Sequence, residues 1–250
     1  MILVIGAGGV GRAIASRLSA LQLSVILMRR PYQSIHEAFP TVTDYREVPW
    51  AKVEGVFLCV RDSQIVLTAT QILPFLSPQT FVIHTAGSVR RDDLLQHVGE
   101  RAGVIYPLQT FTPGYLPEWG TFPVFWEGNL QIKKWAELLV GDTKWLYYAS
   151  SEERLRLHIG AVFTANFLNA FFAIAASLAH PVGDWRLFLP LAEKVIEKLH
   201  KIPPLQAQTG PARRGDIPTL EKHLHYLEGS HPELAPIYKI VTEYIRTHLS

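Results

Sequence analysis

The sequence carries one cysteine, Cys59, in 250 residues, so no disulfide can form within the chain. It lies in the apolar run "GVFLCV", where a buried and inert thiol is expected, in keeping with the reducing cytoplasm. Excess charge is lacking too. A formal net charge of +2 gives no electrostatic basis for binding nucleic acid or a membrane surface, so the arginines must be read locally. No internal repeat, no low-complexity segment and no metal-ligating set stands out, and no metal is expected. The apolar strand starts at residue 2, so no secretory leader is expected before it. Only residues 160–180, "GAVFTANFLNAFFAIAASLAH", resemble a membrane span. Asn166 and Asn169 interrupt that run and a second long helix pattern follows, so a buried central helix is expected instead.

Glycine, by contrast, is concentrated where it matters. In "MILVIGAGGVGRAIASRL" the run Ile2 to Ile5 reads as a parallel strand covered on both faces, and helical spacing resumes after Gly11. The segment Gly6, Ala7, Gly8, Gly9, Val10 and Gly11 is a G-x-G-x-x-G turn from strand to helix. Gly6 allows the tight turn, Gly8 lets a phosphate reach the main chain, Gly11 permits close packing, and the helix N-terminus faces the anion. About twenty residues on, after strand Val25 to Met28, an NAD site usually places an acidic residue. This chain has Arg29 and Arg30 there, with Ser34 close behind, and two guanidiniums suit the 2′-phosphate of NADP.

The remaining grammar alternates strand and helix up to residue 150. Strands are expected over Val56 to Val60, Phe81 to His84, and within "AGVIYPLQTF", "FPVFWEG" and "TKWLYYAS", with Asp62 a candidate cap for the helix after the third strand. This predicts a doubly wound, mostly parallel α/β domain of Rossmann type over residues 1–150. Ligands of such sheets lie at the carboxyl ends of the strands, which adds Val60, Arg61, Thr85, Ala86 and Gly87 to the cofactor rim. Residues 151–250 read as helices only, opened by Ser150 or Ser151 as N-cap with Glu152 and Glu153 in the first turn. Helices are expected over roughly 152–180, 184–200, 218–229 and 232–249, and no regular helix is expected through "KIPPLQAQTGPARRGD". The first of these helices is apolar on nearly all sides, as in a bundle centre or a dimer interface.

Two groups in this helical half suggest chemistry. At 100° per residue, Asn169 falls about 20° and Asn166 about 80° from His158 around the helix, although His158 and Asn169 are about 16 Å apart along it. Buried polar groups held by neighbouring backbone are the plainer explanation. In "TGPARRGD", Arg213, Arg214 and Asp216 between glycines suggest an anion-binding hairpin. Asp216 either orients a guanidinium or caps the next helix.

The segments "VIGAGGVG", "HTAGS", "YPLQTF", "RLRLHIGAVFTANFL", "TGPARRGD" and "LEKHL" together resemble two-domain proteins that join a Rossmann-like NADP domain to a C-terminal helical domain of unknown function, of DUF2520 type. Those proteins are similar in turn to pyrroline-carboxylate reductases and to β-hydroxyacid dehydrogenases, whose helical domains dimerise and complete the active site. Two departures stand out. The lysine that β-hydroxyacid dehydrogenases carry four residues before an asparagine is Val162 or Ala165 here, and Tyr106 replaces the histidine of a usual His-Pro pair. His158 is a substitute proton donor, and Tyr106 can also donate. The resemblance implies a cytoplasmic, homodimeric NADP-dependent oxidoreductase acting by hydride transfer on a small keto or imino acid. His158, Asn166, Arg214 and Asp216 would serve the substrate. A non-catalytic NADP-binding sensor and a deazaflavin-dependent oxidoreductase are the alternatives.

Overall fold

A computed structural model describes residues 1–32, 39–112 and 114–249, so Ser34 lies outside the described residues. The chain forms two compact units, Met1–Asn166 and Phe167–Ser250. The first is built on β1 (Ile2–Ile5), β2 (Val25–Met28), β3 (Thr41–Val42), β4 (Gly55–Leu58), β5 (Phe81–His84), β6 (Ala102–Pro107), β7 (Val124–Glu127) and β8 (Leu146–Tyr148). The sheet order is β3-β2-β1-β4-β5-β6-β7-β8, and of its strand pairs only β6 with β7 is antiparallel. Parallel return needs a crossover. Among the described residues the stretch from β6 to β7 contains no helix of the kind that returns the chain elsewhere, and there the direction reverses.

Alternate residues of each central strand feed two separate cores. Ile2, Val4, Val25, Leu27 and Phe57 pack under helices α1 (Gly9–Ala20) and α4 (Leu130–Val140) on one face. Leu3, Ile5, Ile26, Val56 and Leu58 pack under α2 (Ile65–Ile72) and α3 (Asp92–Val98) on the other. Burial on both faces explains why these strands read as unbroken apolar runs. Order reverses between β1 and β4, with β2 and β3 on one side and the later strands on the other, so the crevice expected to take a ligand opens above Gly6.

Several local expectations are revised. The third long strand ends at Leu58, which leaves Cys59 and Val60 in the turn beyond it. The two-residue edge strand β3 has no pattern long enough to read in sequence. Asp62 caps nothing, because its carboxylate accepts from the Ser88 hydroxyl instead. Strands do end near residue 150, yet the first compact unit runs on to Asn166 because helix α5 (Ser151–Ala161) is fastened to the sheet. Ser150 and Glu153 form a capping box at its start. One turn in, Arg154 is only 1% exposed and pairs with Glu127 of β7, while its other nitrogen donates to the Val89 carbonyl. Ser151 adds a 2.9 Å bond to the same carboxylate.

A π-helical turn, Val162–Phe167, continues α5 into α6 (Leu168–Ala179). The second unit adds α7 (Leu189–Leu199), α8 (Pro204–Ala207), α9 (Pro211–Arg214), α10 (Ile217–Ser230) and α11 (Ala235–His248). The proline-rich stretch thus does contain helix, in two four-residue pieces that each open on a proline, where a missing N–H costs nothing. The continuous helix Ser151–Ala179 is long and apolar enough to cross a membrane by length and composition alone. It is not the buried central helix expected: Phe171 and Leu178 are exposed in the single chain.

Removing one partner of a buried ion pair leaves an uncompensated charge, which costs about 3–5 kcal/mol. Arg154→Ala should lower unfolding stability by about that amount in urea titrations followed by tryptophan fluorescence. An unchanged midpoint would show that α5 is held by its apolar contacts alone.

Candidate active site

The turn after β1 is made by backbone lying on backbone. Gly6 has φ +112°, and a Cβ there would stand 2.3 Å from the Cys59 carbonyl oxygen. A Cβ on Gly11 would come within 1.8 Å of the Gly6 oxygen, and one on Gly9 within 2.3 Å of the Phe111 oxygen. Gly8 differs from all three: nothing lies within 4 Å of its Cβ position, so the main chain is open on that side. Among the described residues no side chain caps α1, and its first turn holds no acidic residue, an arrangement that suits an anion at its N-terminus.

A cleft of about 910 Å³ opens beside this turn and collects the ends of β1, β2 and β4. Gly6, Ala7, Gly8, Arg29, Arg30, Val60 and Arg61 all line it, while Gly9, Gly11, Thr85, Ala86 and Gly87 do not, and Val10 packs into the core beneath. Arg29 is steadied by the carbonyls of Arg30 and Pro31, and Arg30 by a 2.7 Å bond to the Tyr32 hydroxyl. Sequence reasoning missed Arg46, which also lines the cleft and pairs with Asp44 at 2.9 Å. Its two hydrogen bonds from Arg46 hold the Asp44 carboxyl below the usual range. Phe75 and Tyr45 add an aromatic wall, with Phe75 stacked on Trp50 at 5.2 Å. Open glycine backbone, a helix start without caps and several guanidiniums make up a donor set that suits a phosphate-bearing dinucleotide.

Next along the rim, the loop after β5 carries Thr85, Ala86 and Gly87. Burial pushes the Cys59 thiol up to about 12, against a smaller opposing effect of its hydrogen bond with Thr85, so the thiol is inert as expected. His84 is fully buried, and burial together with the Arg154 charge pushes it down to about 3. Its Nδ1 accepts from the Ala86 N–H at 3.2 Å, and the ring stays neutral at physiological pH. A Cβ on Gly87 would stand 2.5 Å from Cγ of His158, so this glycine is where α5 meets the rim.

At the end of β6 the Tyr106 hydroxyl lies 2.9 Å from Nδ1 of His158, with the two rings edge to face at 5.7 Å. Burial pushes the phenol up to about 12, with Arg154 drawing it down and Asp62 raising it by smaller amounts. Both residues line a cavity of about 640 Å³ with Gln109, Thr110, Thr164 and Asn166. His158 and Asn166 therefore share a cavity, as expected, but Asn166 is exposed rather than buried. The uniform 100° phase also fails here. A turn closed by i→i+5 bonds holds one extra residue, so positions beyond it slip by roughly 100° around the axis. Asn169, past that turn, is exposed in the second unit.

Arg214 and Asp216 belong to the second unit. Arg214 ends α9, before Gly215 in the left-handed region, so the expected hairpin is a helical turn. Asp216 takes the capping role at the head of α10, accepting from the Thr219 N–H and, at 2.9 Å, from the Thr219 hydroxyl. Among the described residues Arg213 and Arg214 form no ion pair.

The fold is shared with solved structures. A Bacteroides fragilis protein assigned as an NADP oxidoreductase superposes with a TM-score of 0.87 at 29% identity, covering 98% of this chain and 97% of that one. Protein TM1727 from Thermotoga maritima gives 0.67 at 20% identity over 98% and 97%. Plasmodium falciparum pyrroline carboxylate reductase with NADP bound gives 0.61 at 13% over 100% and 99%, and the last two likenesses concern the fold alone. No curated protein matches the sequence. Residues 2–137 match the family described as ketopantoate reductase PanE/ApbA, and residues 122–245 match the domain of unknown function DUF2520. With its glycine turn, its arginine-lined cleft and its helical second unit, the chain belongs to the ketopantoate reductase PanE/ApbA family and carries a DUF2520 domain as its C-terminal part.

Proposed function

We propose that the protein is a cytoplasmic NADP(H)-dependent oxidoreductase acting on a small polar substrate of the keto-acid or imino-acid class. The observation that carries this reading is that the arginine-lined cleft, at the ends of β1, β2 and β4, and the Tyr106–His158 pair, at the end of β6 and against Gly87 after β5, both lie at the carboxyl ends of parallel strands of one sheet. Arg29 and Arg30 would hold the 2′-phosphate, Gly6 to Gly11 the pyrophosphate, and Thr85 to Gly87 the nicotinamide end. NADPH bound there supplies a hydride. His158 handles the proton at the substrate oxygen or nitrogen, and Asn166 orients the substrate by hydrogen bonding. Arg214, which has no ion-pair partner among the described residues, is the proposed clamp for a substrate carboxylate, with Asp216 fixing the start of the helix beside it. The 29% identity to a protein assigned as an NADP oxidoreductase supports the same reaction class.

The same reading includes a homodimer. Phe171, Leu178, Ile240 and Val241 are exposed together with an apolar recess of about 310 Å³ in the second unit, more apolar surface than an isolated unit of this size normally leaves in water.

Three measurements test these points. Calorimetry should show NADPH binding at least about tenfold more tightly than NADH, the value of one charge-assisted contact. The double change Arg29→Ala, Arg30→Ala should erase that preference, and equal affinities in the unaltered protein would overturn the cofactor assignment. With a substrate found by screening keto and imino acids, His158→Ala should lower kcat by roughly 10²–10⁴ with little change in KM. Arg214→Ala should instead raise KM. Turnover indifferent to both changes would remove these residues from the site, and no turnover with any substrate would favour a cofactor-binding sensor. Light scattering should give twice the 28.1 kDa chain mass, and a clean monomer would refute the dimer.

A further inference from the structure

We infer that Tyr106 and Gly87 are positioning residues that hold the resting His158 ring with Nδ1 as acceptor and Nε2–H presented to the cavity, which sets the site for reduction of a C=O or C=N acceptor. This inference rests on the reading of His158 as the proton-handling group.

An imidazole on a helix can turn about two side-chain bonds, and here both freedoms are restricted by different neighbours. Gly87 meets the Cβ, Cγ and Nδ1 edge of the ring so closely that a methyl group would stand 2.5–2.7 Å from all three atoms. Tyr106 closes Nδ1 itself at 2.9 Å and lies edge to face with the ring at 81°. His158 lines the cavity, and with Nδ1 taken by Tyr106 the ring nitrogen left to meet a ligand there is Nε2. The phenol keeps its proton through the neutral range because burial pushes it up to about 12. It therefore donates to Nδ1 of a neutral ring, and the ring proton must then sit on Nε2. When the ring is protonated, the phenol oxygen accepts from Nδ1–H and Nε2 still carries hydrogen. In both resting states the substrate meets an N–H donor. A carbonyl or imine atom needs that donor as hydride arrives at its carbon, whereas removing a proton from an alcohol or amine needs a bare Nε2.

Among the described residues the charged and titratable groups around the pair are few. Asp62, tied to Ser88, and Arg154, tied to Glu127, both act on Tyr106, and Arg156 lines the same cavity while paired with Glu152. His84 cannot take over the role, being fully buried with Nδ1 already accepting from the Ala86 N–H.

The inference is tested on the uniformly ¹⁵N-labelled protein by two-bond ¹H–¹⁵N correlation of its imidazoles at pH about 9, where histidines are neutral. The His158 signals are identified by their loss in His158→Gln. We expect protonated Nε2 and an Nδ1 resonance displaced by an accepted hydrogen bond, a displacement that disappears in Tyr106→Phe. A His158 protonated on Nδ1, or an Nδ1 resonance unmoved in Tyr106→Phe, would overturn the inference. Neither result depends on turnover, so the assignment of His158 to catalysis stands or falls separately through His158→Ala. In the reductive assay Tyr106→Phe should lower kcat about tenfold with KM within twofold, the size of one lost hydrogen bond. Gly87→Ala should lower kcat as well while displacing the same ¹⁵N resonances. A loss of rate in Tyr106→Phe with the His158 resonances unchanged would also refute the positioning role.

Discussion

Contact of main chain on main chain at the first turn is the constraint from which the rest of the first unit follows. Gly6 touches the carbonyl at Cys59, Gly11 touches Gly6, and Gly9 touches the carbonyl at Phe111. These contacts join the ends of β1 and β4, the start of α1 and the segment that leaves β6. A side chain at any of the three would separate elements that must meet at the rim. Of these four glycines Gly8 alone meets no such contact among the described residues, and it is the one at which the backbone lies open. One short segment thus both closes the sheet's upper edge and exposes the donors that suit a phosphate.

A second fastening brings chemistry to that rim. Arg154 and Glu127 anchor the first turn of α5 against β7, and His158, one turn further on, lands against Gly87 and Tyr106. Buried charge of this kind contributes less to stability than to geometry, because its desolvation cost offsets most of its Coulomb energy. What it secures is the position of a helix whose first turns belong to the nucleotide-binding unit although the strands have already ended.

Much of this was legible from the order of residues. Four apolar residues before the glycines, four again at Val25 to Met28, and three followed by His84 at Phe81 to His84 mark strands covered on both faces, and each occurs where expected. Arg29 and Arg30 stand at the end of the second strand and do line the cleft. The edge strand Thr41–Val42 was not legible, since two residues carry no periodicity, and Arg46 was lost with it. Nor was the π-turn, because an inserted residue leaves the apolar pattern of a helix that is apolar all round unchanged.

The sequence by itself determined the glycine turn, the arginines behind the second strand, the alternation of strand and helix and the later change to helices alone. These are local properties, set by the backbone freedom of glycine, by side-chain volume and by hydrophobic period. Tertiary structure alone decided that Tyr106 and His158, 52 positions apart, form one hydrogen-bonded pair, that Asp62 serves Ser88 rather than a helix end, and that Arg154 is buried on Glu127. Each joins residues distant in the chain, and no local preference of either partner encodes such a contact. It exists because packing two cores on opposite faces of one sheet fixes which strand ends become neighbours.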